Sequence, residues 1–456
     1  MKFRNHKALA IFFCISMAGV IASCNANKTE EKPSDNVDLL DKWEESDCFK
    51  FTYKQHDKNT MPIGGWCAPI ARSGCNTNEA YRTIKESGIN AIYGLYERVS
   101  MEDEDIEKAL EYADNNDVVY LVRDTSVGAL SEDINSLKSH IDNYTKHKSY
   151  GGILACDEPG YSQIDSGLIN GRNAFRTYYS DLLYYVNLFP NYAAESQLLG
   201  PNSSLTNITY EEYLEAYCSK VRPQMLSVDN YPTNVKFPNM ADYYFDQLEL
   251  NSKVASKYKI PWWTFVLTTE HYSYRQVSEV DIDWQVNTAL AYGSKGIQYF
   301  CYQEPYEFTI GNIAKGGSLI DSNGNKTDVY DYCKRINKQV SRMDHVLMNS
   351  TCIARMAFNN SPSKIDKTNF VDSFREIGSI TTGDDLLVGC FDYNGKSVFY
   401  FVNNNLSNNL TATVNFTSKI EANTYSKTED STFKGEQATI TLEPAQGILF
   451  ELTNYK

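Results

Sequence analysis

From residue 61 the chain alternates short apolar runs with amphipathic stretches. "MPIGGWCAP" (61–69) predicts a first strand. "NTNEAYRTIKESG" follows as a helix, with Asn76 as N-cap, Glu79 closing a capping box and Gly88 as stop. "INAIYGLY" predicts strand two, and "MEDEDIEKALEYADNND" a helix whose acids gather at the end its dipole favours. "VVYLVRD" reads as strand three and "SEDINSLKSHIDNYTKH" as its helix. Strand four is "YGGILACDEPG" (150–160), followed by a helix around 164–180. "LLYYVNLFPNYA", "MLSVDNYP", "IPWWTFVLTTEH" and "GIQYFCYQEP" predict strands five to eight. The helices "TYEEYLEAYCSKVRP", "MADYYFDQLELNSKVASKYK" and "DIDWQVNTALAYGSK" separate them, and "DVYDYCKRINKQVSRMDHVL" closes the series.

Eight strand–helix units in series are what a parallel (β/α)8 TIM barrel requires. The runs are near-continuously apolar, as for strands covered on both faces. A doubly wound open sheet is the rival architecture, but no G-x-G-x-x-G opens any of the helices. Past residue 350 the helical pattern stops. "LLVGCFDYNGKSVFYFVNN" places two strands around an Asn-Gly turn, "LTATVNFTS" alternates at period two, and "ATITLEPAQGILFELT" ends the chain as another strand pair. The fold class expected is therefore α/β, a barrel over 49–349 followed by a small all-β sandwich over 350–456.

The first residues stand outside this pattern. "MKFRNHK" is a basic n-region and "ALAIFFCISMAGVIA" an apolar h-region, so residues 1–24 read as a signal peptide. Its ending, Ile21-Ala22-Ser23-Cys24, resembles a bacterial lipobox, which makes Cys24 the expected lipidation site. Residues 25–48 are polar and acidic and suit a flexible tether. No other segment approaches the ~20 apolar residues of a membrane span. The anchor is thus the expected link to a membrane, and the bacterial envelope, at the outer membrane, the expected location.

Composition narrows the partners. A net charge of −15 argues against a nucleic-acid backbone, whose binding needs clustered Lys and Arg, and it favours a neutral ligand. The 33 Tyr and 21 Phe are core filler or platforms for flat ligands. The eleven cysteines form no C-x-x-C, and the six histidines no H-x-x-x-H, so neither a metal site nor any other cofactor is implied.

Active sites of (β/α)8 barrels lie at the C-terminal ends of the strands. Here those ends are Trp66, Arg123-Asp124, Asp157-Glu158, Asn187 to Tyr192, Asp229-Asn230-Tyr231, Glu270-His271 and Tyr302-Gln303-Glu304. Trp262 and Trp263 fall earlier in their strand and read as core. Acids, amides and aromatics on one rim suit cleavage of a glycosidic bond. One carboxyl must arrive protonated to serve the leaving oxygen, and another must be ionised to attack the anomeric carbon or activate water. Trp66, Tyr231 and Tyr302 are candidates to stack on sugar faces; Asp157, Asn187, Asp229 and Gln303 are candidates to bind hydroxyls.

"GILACDEP", "YYVNLFPNY", "LSVDNYP" and "LAYGSKGIQYFCYQEP", in this order over roughly residues 60–345, resemble the barrel glycoside hydrolases of the large retaining clan that includes families 5 and 42. More narrowly they resemble lipoprotein members from gut Bacteroidota. The resemblance implies a Glu acid/base at the end of strand four, matched by Glu158, and a Glu nucleophile at the end of strand seven, matched by Glu270. Glu304 takes the second role if the strand count slips by one. The clan's usual Asn before the acid/base is Asp157 here, and a neighbouring acid raises a carboxyl pKa by like-charge repulsion. The resulting expectation is a cofactor-free, lipid-anchored retaining hydrolase of a neutral β-linked glycan. Its rivals are a non-catalytic carbohydrate-binding lipoprotein, an inverting enzyme with Asp229 or another rim acid as base, and an adhesion or assembly protein working through the sandwich.

Overall fold

The computed structural model describes residues 52–94, 103–123, 134–236, 240–305, 314–359 and 367–453. The signal segment, Cys24, the tether and Asp124 lie outside the described residues.

Eight parallel strands form the first sheet: β1 (Ile63–Trp66), β2 (Ala91–Tyr93), β3 (Val119–Val122), β4 (Tyr150–Asp157), β5 (Leu183–Asn187), β6 (Leu226–Val228), β7 (Trp262–Leu267) and β8 (Ile297–Phe300). They pair in the order β5-β4-β3-β2-β1-β8-β7-β6. A parallel bridge between Leu188 and Val228, with the Leu188 N–H donating to the Ser227 carbonyl at 3.0 Å, joins the two ends of that list. Sheet and bridge together make the (β/α)8 barrel, and its strands are mostly apolar because helices cover one face and the lumen the other.

Large rings fill the lumen. Trp66 packs against Tyr93, Tyr185 and Phe265, with centroids 6.1, 5.8 and 5.2 Å away, and Tyr185 lies 6.4 Å from Trp263. Gly64 makes room for them, since a Cβ there would stand 2.1 Å from the Tyr93 hydroxyl oxygen. Trp262 and Trp263 are both core, as expected.

Three local expectations are corrected. Thr77, not Asn76, caps the first helix (Asn78–Glu86): its hydroxyl accepts from the Ala80 N–H, while Asn76 donates to the Asp105 carbonyl. β7 stops at Leu267; Glu270–His271 forms a separate two-residue strand against Ala314–Gly316. The helix after β4 starts at Tyr161 and runs through a π turn at Ile164–Leu168.

The C-terminal region is all-β, in one hydrogen-bonded antiparallel sheet. Its strands are β9 (Thr351–Phe358), β10 (Ile377–Thr381), β11 (Leu386–Tyr393), β12 (Lys396–Asn403), β13 (Leu410–Tyr425), β14 (Asp430–Leu442) and β15 (Gly447–Leu452). They run β9-β11-β12-β15-β13-β10, with β14 on β13. The long β13 breaks register against β14 between Asn415 and Ile420. Phe399 and Phe401 of β12 face a core shared with Leu410, Ala412 and Val414 of β13. The alternate residues Val398, Tyr400 and Val402 join the barrel's core. Helix Glu279–Ala291 lies between, with every residue from Asp281 to Ala291 buried. Tyr400 donates to Asn287 at 2.5 Å and the Trp284 indole to Asn404 at 2.8 Å, tying the sheet to that helix.

Candidate active site

β4 carries the first two acids. A bulge between Leu154 and Cys156 shifts its register against β5, so that Asp157 stands opposite Asn187. Bulges re-aim side chains in this way near functional sites. In an extended strand residues 157 and 158 would face opposite sides. Glu158 instead adopts φ +49°, its N–H donating to the Asn187 carbonyl at 2.8 Å. That left-handed residue breaks the alternation, at a cost of about 1–3 kcal/mol for a non-glycine. Both carboxyls then serve one mouth: the Tyr231 hydroxyl lies in the field of Asp157, Glu158 and Asp229 together. The turn is held by Tyr213, which donates to the Pro159 carbonyl at 2.7 Å. Gly160 is needed where it packs on Gly200, because a Cβ would come within 2.5 Å of that backbone.

A single amide bridges Asp157 and Asp229. Asn187 Nδ2 donates to Asp157 Oδ1 at 3.1 Å and to Asp229 Oδ1 at 3.0 Å, while its Oδ1 accepts from Ser227 Oγ at 3.1 Å. Ser227 in turn accepts from Gln298 Nε2 at 2.9 Å, and Tyr185 donates to Gln298 Oε1 at 2.5 Å. The amide's orientation is therefore set from the barrel interior. Asp157, Glu158 and Asp229 are half-buried at the C-terminal ends of their strands. Burial first, then the Asp157 charge, raises Asp229 to about 7, against the opposing pull of the Asn187 hydrogen bond. Burial also raises Asp157, with Arg123 and Asn187 pulling the other way.

The opposite wall is aromatic. Tyr231 packs on Phe265, His271, Tyr274 and Phe300. The Tyr192 and Tyr274 hydroxyls are 3.1 Å apart, and Tyr274 lies in the field of both Asp229 and Glu158. His271 Nδ1–H donates to the Thr269 carbonyl at 2.9 Å, and burial lowers its pKa against that hydrogen bond. Glu270, beside it, is half-buried.

The remaining sequence candidates are placed elsewhere. Trp66 is 2% exposed and belongs to the lumen core, so it offers no stacking face. Tyr302 is 1% exposed and turns outward toward Tyr81 and Tyr330 of the surrounding helices. Gln303 is buried and its Oε1 accepts from the Ile70 N–H at 3.1 Å. Asn187 is buried, with both N–H groups committed to the two aspartates, which makes it scaffold and not a binder of hydroxyls. Glu304 is buried, raised by burial and by Asp321 of the following turn, and its N–H donates to the Ile320 carbonyl. Sequence reasoning did not single out Tyr274, Ser227 or Gln298. The last two sit inside strands, where polarity amid an apolar run was their only signal.

No family model matches the chain, and no curated protein matches its sequence. Its fold is similar to a noncanonic maltogenic α-amylase, AmyB, from Thermotoga neapolitana, at 10% identity and TM-score 0.51, over 89% of this chain and 100% of that one. It is similar also to a glucosidase from Croceicoccus marinus, at 9% identity and TM-score 0.44, over 87% of this chain and 96% of that one. A GH5_18 protein from Bifidobacterium longum subsp. infantis gives 10% identity and TM-score 0.43, over 61% and 79%. At such identities the shared property is the fold.

The aspartate pair yields a stability prediction. A carboxyl raised on folding keeps its proton where the unfolded chain has lost it, so stability falls as pH rises from about 4, the unfolded value, toward about 7, the folded one. Asp229→Asn removes this penalty. The melting temperature of the variant relative to the parent is expected to rise between pH 5 and pH 8. An equal difference at both pH values would mean that Asp229 is ionised throughout.

Proposed function

We propose that this protein is a glycoside hydrolase acting on a neutral, β-linked glycan with retention of configuration. The observation that carries the reading is Glu158, a half-buried acid at the end of β4 on a left-handed backbone, facing Tyr231 and Tyr274. In this role Glu158 protonates the leaving oxygen and later takes the proton from water, and Glu270 forms the glycosyl-enzyme. Glu270 is preferred over Glu304 because it is half-buried beside His271, whose ring packs against Tyr231 and Tyr274, whereas Glu304 is buried against the Asp321 turn. The name α-amylase on a protein of similar fold agrees with glycoside hydrolysis at that coarse level and says nothing of the linkage.

The test is a panel of aryl β-glycosides and neutral oligosaccharides, followed by a 2-deoxy-2-fluoro glycoside of the sugar that is turned over. Mass spectrometry of the trapped enzyme is expected to find the label on Glu270. A label on Glu304 moves the nucleophile, and no turnover across the panel sinks the reading.

Asp229 supports a second reading, inversion, because it is half-buried at the mouth and bridged to Asp157. The anomer first released, followed by proton NMR, separates the two. We also propose lipidation at Cys24 and an outer-membrane location. Loss of the protein from the membrane fraction on Cys24→Ser is the expected result.

A further inference from the structure

The segment after the short strand Glu270–His271 turns back at once. The Tyr274 N–H donates to the His271 carbonyl at 2.8 Å, closing a four-residue turn in which Tyr272 holds φ +48°. A positive φ at the second residue of a turn is a place for Gly, Asn or Asp. A tyrosine there is strained, and burial gives it little in return, since it is 57% exposed. Its ring stands edge-on to His271, 5.6 Å between centroids, and the His271 ring in turn touches Tyr231 and Tyr274. Val235, 63% exposed, lies alongside, its N–H donating to the Ser273 carbonyl at 2.9 Å. An exposed aromatic and an exposed aliphatic thus sit together beside the His271 ring, which packs on the Tyr231 and Tyr274 rings that lie in the field of the acids. Backbone strain of this kind gathers at functional sites, and the inference runs from the outlier to the role.

Building on the hydrolase reading above, we infer that Tyr272 is a stacking platform for a sugar ring beyond the one held at the acids, and so reads the length of the glycan. The occupant is neutral because Asp157, Glu158 and Asp229 line the adjoining floor and repel anions. A pyranose suits the place: its C–H face lies on the ring, and its hydroxyls are within the reach of a polar mouth.

The experiment compares kcat/KM for the best p-nitrophenyl β-glycoside with that for the β-linked trisaccharide of the same sugar. Tyr272→Ala is expected to lower the trisaccharide-to-aryl-glycoside ratio about tenfold, through KM and not kcat, and Tyr272→Phe to restore it. An unchanged ratio in Tyr272→Ala, with Glu158→Gln inactive on the trisaccharide, overturns the platform and leaves the hydrolase standing. If the parent protein turns over neither substrate, calorimetric titration with the trisaccharide decides. About tenfold weaker binding by Tyr272→Ala then upholds the platform without the hydrolase, while equal binding, or none by the parent, overturns it.

Discussion

Replacing Glu158 with glutamine is expected to lower kcat on an unactivated glycan by about 10²–10⁴-fold, the range for loss of a general acid–base group. That corresponds to about 3–5 kcal/mol of barrier. Glutamine keeps the size of the side chain, and the backbone contacts that hold the turn do not involve the carboxyl: the Glu158 N–H to Asn187, and Tyr213 to the Pro159 carbonyl. The melting temperature is therefore expected to stay within the range of a surface substitution. The diagnostic lies in the leaving group. A p-nitrophenolate needs little protonation, so cleavage of its bond to the anomeric carbon should suffer far less in Glu158→Gln than cleavage of a sugar–sugar bond. Equal losses on the two substrates would show that Glu158 binds or positions and does not deliver a proton.

The barrel was legible because each strand is buried on both faces and each helix on one, so the chain alternates two kinds of pattern. The C-terminal strands were legible by the same means, but not their assembly. Period two says that Phe399 and Tyr400 face opposite ways; it does not say that one face meets β13 and the other the barrel's core. Strand ends identified Asp157, Glu158 and Asp229 because a charged residue ends an apolar run only where the chain leaves the core. The same reasoning failed for Trp66, which ends β1 but points into the lumen through the space Gly64 leaves. It failed for Tyr302 and Gln303 because the chain after β8 bends out to meet Tyr81, Tyr330 and Ile70. Position along a strand is one-dimensional, and inside or outside is decided by neighbours distant in sequence. Tyr272 and Tyr274 were passed over because a tight turn after a strand carries no periodicity to read.

Substituting Arg355 with methionine is expected to destabilise the protein by about 3–5 kcal/mol, the cost of stranding a buried charge. Arg355, on β9, donates to Glu249 Oε1 at 2.5 Å, and the two side chains are 1% and 0% exposed. Glu249 belongs to the barrel helix Met240–Tyr258, so the pair crosses from barrel to sheet. The guanidinium also lies over Tyr292, 4.6 Å from the ring centroid, in contact too apolar for a lone carboxylate. In Arg355→Met the abandoned Glu249 must take up a proton or admit water, so the deficit in urea midpoint should shrink at pH 5 relative to pH 8. Trp284, bonded to Asn404 across the same junction, gives a fluorescence signal for undocking of the sheet. The double variant Arg355→Met, Glu249→Leu is expected to regain most of the loss, because a buried ion pair exchanged for well-packed apolar groups is often neutral. If the double variant is as unstable as the single, the cost lies in lost packing around Tyr292 and Phe370 and not in the unpaired charge.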